Sequence, residues 1–165
     1  MIKLVNGNGQ VGNFLKNKIS SISVNKPVLI YHTWNIDNKS NKVQKKEYEK
    51  FKFFVNENKN NRIIFISTKS QKESQYVKYK QLSESYLIEN CIDCLVLRFP
   101  TLIGKGIFHD FKNGTKQPYG TMEIMSLERA AEIIVEKINY SGVLKTICFD
   151  GHVIKANIVY ELVNL

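Results

Sequence analysis

Three things are scarce in this 165-residue sequence: cysteine, arginine and long apolar runs. There are three cysteines, an odd number, which fits free thiols in a reducing compartment and excludes a disulfide framework. No apolar run approaches the roughly 18 residues of a membrane span, and the stretches 28–31 and 63–66 are strand-sized. Met1 leads straight into Ile2-Lys3-Leu4-Val5, with no secretion-signal pattern, so a cytoplasmic location is expected. A chain of this length buries roughly 68–70% of its unfolded surface and needs neither disulfide nor structural metal to hold a core.

Arginine is the scarcest of the cations. The net charge is +9, yet lysine outnumbers arginine 21 to 3. Arginine is the residue that clamps phosphates bidentately and reads guanine edges, so its scarcity argues against nucleic-acid readout. The densest basic stretch, 39–59, interleaves seven lysines with Glu47, Glu49 and Glu57, the pattern of a solvated helix face. A basic surface suits an anionic small molecule such as a nucleotide-linked substrate.

What the sequence does have is alternation. Short β-branched runs at 2–6, 27–32, 62–67, 94–99 and 144–149 read as strands. Between and after them, 9–18, 43–58, 74–90, 126–139 and 154–163 read as helices. Phe51, Phe54 and Val55 share one face of the second helix, and Leu127, Ala130, Ala131, Ile134 and Ile138 form one stripe of the fourth. Strands alternating with helices predict a trimmed Rossmann-like α/β domain of about five parallel strands covered on both faces. No repeat or low-complexity linker divides the chain, so a single domain over 1–165 is expected. Residues 104–120 hold four glycines and no periodicity, and read as the longest loop.

Two motifs carry chemistry. The first strand runs into Gly7-Asn8-Gly9-Gln10-Val11-Gly12, a G-x-G-x-x-G whose glycines permit a tight turn, close approach of a pyrophosphate and close helix packing. The helix that follows offers free N–H groups to phosphate. Further on, Tyr76 and Lys80 stand one helical turn apart, and an ammonium beside a phenol favours the phenolate and general acid/base work. Ser67 and Thr68 end the preceding strand, where open α/β sheets bind their ligands.

The order G-x-G-x-x-G, His32-x-Trp34, Ile66-Ser67-Thr68, Tyr76-x-x-x-Lys80 with Glu84, and Leu97-Arg98-Phe99-Pro100-Thr101-Leu102-Ile103-Gly104 resembles the extended short-chain dehydrogenase/reductases. The resemblance is to their nucleotide-sugar epimerase, dehydratase and reductase branch, in abridged form. It implies that Gly7, Gly9, Gln10, Val11 and Gly12 line the pyrophosphate of NAD or NADP, with His32, Pro100 and Thr101 also against the cofactor. It implies that Tyr76 exchanges a proton with the substrate, that Lys80 holds the nicotinamide ribose, and that Thr68, or Ser67, bonds the reacting oxygen. No metal is implied. A homodimer is expected, and no membrane partner.

The sequence also departs from that pattern. An acidic ribose ligand belongs about 20 residues past the glycines, where the chain has His32 and no acid before Asp37. Either 28–32 is the second strand and Asp37 the ligand, or it matches the family's fourth strand and two strands are missing; His32-Thr33-Trp34 favours the deletion. Thr68 and Tyr76 are only eight residues apart. Lys69-Ser70 replace the acidic pair of sugar-nucleotide dehydratases, which disfavours dehydration, and the substrate-binding part between 106 and 125 is short. Weaker candidates are Cys91-x-x-Cys94, at a helix end rather than the helix start that redox pairs use, and His109-Asp110 as an acid/base pair. The expected function is an NAD(P)-dependent oxidoreductase or isomerase acting on a nucleotide-linked sugar in surface-polysaccharide synthesis. The alternatives are a ligand- or partner-binding relative without turnover, and cofactor-free acid/base chemistry by Tyr76 and Lys80.

Overall fold

A computed structural model describes residues 1–7 and 9–163, without the side chains of 105, 106, 108, 109 and 163. Five parallel strands, β1 (Ile2–Val5), β2 (Val28–Tyr31), β3 (Arg62–Thr68), β4 (Cys94–Phe99) and β7 (Thr146–Cys148), form one sheet in the order β1-β2-β3-β4-β7. Helices α1 (Gln10–Ile19), α2 (Asn41–Asn58), α3 (Gln75–Asn90) and α5 (Leu127–Lys137) cover it. This is the trimmed Rossmann-like architecture that the alternation predicts.

The two-residue period of the strands sorts the core into two layers. Val28 and Ile30, Ile64 and Ile66, and Leu95, Leu97 and Phe99 face α1 and α5, where Val11, Leu15, Ala130, Ala131 and Ile134 meet them. Tyr31, Ile63, Phe65, Cys94 and Val96 face α2 and α3, against Phe51, Val55 and Leu87. Strands buried on both faces read as continuous apolar runs, which is why the sequence pattern finds them.

A second, smaller sheet was not expected. β5 (Thr101–Ile103), β6 (Thr121–Ser126) and β8 (His152–Lys155) associate in the order β5-β6-β8, with β8 antiparallel to β6. Helices α4 (Lys105–Lys112) and α6 (Ala156–Val163) close over it through Ile107, Phe111, Ile124 and Val159. Two expectations are corrected here. Part of the 104–120 loop is α4, and the last helix starts after Lys155, because Ile154 pairs with Met122 in the sheet.

Strand β1 lies at an edge, hydrogen-bonded to β2 alone among the described residues. Ile22 and Val24, in the segment after α1, pack against the same core cluster as Ile2 and Leu4. The strand order therefore runs one way across β1 to β4, with no reversal beside β1.

Candidate active site

In a parallel sheet all carboxyl ends lie on one side. The glycine turn after β1, His32 after β2, Ser67 and Thr68 closing β3, and Pro100 after β4 therefore share one rim. The run ending at Gly104 reaches the same place: a methyl group on Gly104 would meet the side-chain amide of Gln10 at the start of α1 and lie 3.0 Å from Leu127. Asn8, in the glycine turn, and the side chain of His109 lie outside the described residues.

Gly9 caps α1 in an extended conformation and supplies no side-chain cap, so the first N–H groups of the helix are left to other partners. The ring of His32 faces both later glycines. A methyl on Gly9 would lie 3.2 Å from its Nδ1, and one on Gly12 would lie 2.7 Å from its Cε1 and 2.9 Å from the carbonyl of Gly7. Both ring nitrogens of His32 are buried without a hydrogen-bond partner among the described residues. Burial, then the positive charges of Lys80 and Lys16, push His32 down to about 4.

Lys80 is the most deeply enclosed cation of the site, at 3% exposure. Its Nζ donates to the carbonyl of Ile66 at 2.8 Å and lies 4.5 Å from the ring centres of both Trp34 and Phe65. Burial pushes it down to about 7, against the opposing pull of Glu84 and Glu47. Trp34 is held over it by a 2.7 Å bond from its indole N–H to Gln44, and Gln44 in turn donates to the carbonyls of Asn35 and Asn38. A helix α2 residue thus fixes the loop that roofs Lys80, a link with no signal in the sequence.

The other expected residues divide. Tyr76, on the first turn of α3, is half-buried, and burial pushes its phenol up to about 12 rather than down. The expected help from Lys80 is absent, because that ammonium is turned to the Ile66 carbonyl. Ser67 is committed: its hydroxyl donates to Glu84, whose carboxylate also takes Arg98 at both oxygens. Thr68 accepts the Ser70 N–H at 3.1 Å and keeps its own proton to give. Pro100 is buried against Gly151, and Thr101 is exposed.

Lys69 is structural in its contacts. It bridges Glu123 on β6 and Asp150, which tie the loop after β3 to the small sheet and raise its pKa. All three arginines are likewise spent inside the molecule, Arg62 on Asp93, Arg98 on Glu84 and Arg129 on Glu132. Cys91 and Cys94 are buried free thiols, and a hydrogen bond from Cys91 to Cys94 raises the first and lowers the second.

No family model and no curated protein matches the chain. Solved structures do. A dTDP-4-dehydrorhamnose reductase from Clostridium acetobutylicum superposes with a TM-score of 0.75 at 14% identity, over 98% of this chain and 78% of that one. The same enzyme from Bacillus anthracis, in complex with NADP, gives 0.70 at 12%, over 99% and 81%. A UDP-N-acetylglucosamine 4-epimerase from Bacillus cereus gives 0.63 at 17%, over 96% and 81%. At these identities the common property is the fold.

Proposed function

We propose that this chain is a reduced short-chain dehydrogenase/reductase-like enzyme acting on a nucleotide-linked sugar, as a reductase or epimerase of surface-polysaccharide synthesis. The supporting observation is the shared rim, where Thr68 and the Tyr76–Lys80 turn of α3 stand at the same sheet end as the glycine turn. The sheet corresponds to the full fold without its second and third strands. The turn has the glycine spacing that a pyrophosphate needs, and the side of Gly9 and Gly12 that lacks a Cβ faces the His32 ring. A bound NAD or NADP would supply hydride chemistry. Gly7, Gly9, Gln10, Val11 and Gly12 would hold its pyrophosphate and Pro100 and Thr101 its nicotinamide end, while Lys80 would have to turn from the Ile66 carbonyl to reach its ribose.

The chain's own residues then have simple tasks. Tyr76 holds its proton firmly in the free protein, which suits a general acid giving that proton to a substrate oxygen. Thr68 donates to the same oxygen. Lys80, close to neutral pH in its own titration, can lose or regain a proton at little cost. A homodimer that covers β1, or pairs α2 and α3 across subunits, completes the proposal.

One observation favours a second reading. With β1 at the edge, the adenosine half of a dinucleotide has no neighbouring strand to lean on. A relative that binds a ligand without turnover would need only the remaining cleft. The deciding experiment follows NADH and NADPH absorbance and product formation with dTDP-4-keto sugars and UDP-sugars, in the wild type and Tyr76→Phe. Turnover that Tyr76→Phe abolishes supports the enzyme; sugar-nucleotide binding with no turnover supports the binding protein.

A further inference from the structure

His32 is an anomaly that the proposed chemistry does not use. Buried polar atoms nearly always find partners, and each exception needs a reason. Here two nitrogens of one ring are orphaned, between the glycine turn and Lys80. The second glycine of such a turn serves to let a pyrophosphate approach the backbone. In this chain the side of Gly9 that must stay clear faces the imidazole, 3.2 Å from where a methyl would stand.

We infer that His32 is a gate on the glycine turn: its ring occupies the space a phosphate-bearing nucleotide must enter, and the nucleotide binds only when the ring has swung away. This rests on the proposal that the turn takes the dinucleotide. The ring is poorly anchored, because nothing among the described residues accepts from or donates to it, and swinging out returns both nitrogens to water. Among the described residues, the charged groups facing it are Lys16 on α1 and Lys80 on α3, both positive. They oppose a charged imidazole in the closed position and attract an anion once the ring has left.

The gate has a pH signature. In the closed position His32 titrates near 4 instead of its ordinary 6.5. Protonation therefore favours the open form, and the open population grows as pH falls from about 6.5 towards about 4. Nucleotide affinity rises over the same window.

The test is calorimetry of the full chain with NAD⁺ at neutral pH, beside NMR titration of the His32 ring in the free protein. If the ring is closed nine-tenths of the time, His32→Ala should bind about 10-fold more tightly than wild type. The wild type should tighten on acidification and His32→Ala should not. His32→Asn, and the acidification of the wild type alone, serve if the alanine variant fails to fold. Equal affinity of wild type and variant, or a His32 ring titrating at its ordinary value, overturns the gate and leaves the dinucleotide proposal standing. No binding by either protein overturns the dinucleotide proposal, and the gate with it.

Discussion

Ser67 donates its hydroxyl to Glu84 across 17 residues of sequence, and this hydrogen bond separates two neighbours that look interchangeable in the sequence. Ser67 is structural and Thr68 is free to act. Ser67→Ala should cost about 1–3 kcal/mol in urea denaturation, because a buried carboxylate loses a donor, while turnover changes little. Thr68→Val should do the reverse, with near-native stability and lower kcat. Equal activity losses in the two would reject this division.

Tyr76→Phe should lower turnover by about 10²-fold or more with unchanged far-UV circular dichroism, the usual scale for a positioned acid. Tyr76 makes no hydrogen bond among the described residues, so its hydroxyl has no structural partner to lose.

Lys80 gives a pH-dependent stability. Its folded value is lowered from 10.5 to about 7, so between those two limits the unfolded chain binds a proton that the folded chain does not. Stability therefore rises with pH through that window, approaching its full gain above the unfolded value. Denaturation of wild type and Lys80→Met at several pH values should show the slope in the first only. A constant difference would mean that Lys80 stays charged throughout.

Gly12→Ala should destabilise the fold by about 1–3 kcal/mol, since its methyl would press on His32 and on the Gly7 carbonyl. In a His32→Ala background the loss should shrink but persist, because the carbonyl contact remains. Thermal denaturation of the four proteins measures the coupling.

The open side of β1 is exposed to pairing. Lys3 is exposed between half-buried Ile2 and Leu4, and a charge on an edge strand discourages uncontrolled addition of further strands. Sedimentation should give a defined dimer at micromolar protein, and Lys3→Ile should shift it to larger species. A stable monomer in both would remove β1 and the α2–α3 face as interfaces.

The main sheet was legible because its strands are buried on both faces. Val28–Tyr31 and Ile63–Ile66 need no partner to be recognised as apolar runs. The small sheet was not legible. β5 is three residues long, and β8 is mostly exposed, so their strand state comes from pairing with β6 rather than from local pattern. The same split holds in the site. The glycines and the Tyr76–Lys80 spacing are local and visible in one dimension. The orientation of Lys80 towards Ile66, the capture of Ser67 by Glu84 and the orphaned ring of His32 arise from segments brought together by folding.

The one-way strand order also bears on how the chain is made. From β1 to β4 each new strand docks beside the one synthesised just before it, with a helix in between. A sheet whose order reverses obliges a later strand to return past finished ones to find the first. Here synthesis order and assembly order coincide over the first hundred residues, so each pairing closes only the one strand–helix–strand loop between neighbours, as from Ile2 to Val28 or from Ile63 to Cys94, and no longer closure is needed. The nascent chain can add strand to strand as it leaves the ribosome. β7 and the whole small sheet, β5–β6 as well as β6–β8, wait for the C-terminal third, which makes the rim around Thr68 and Lys69 the last part of the molecule to be locked in place.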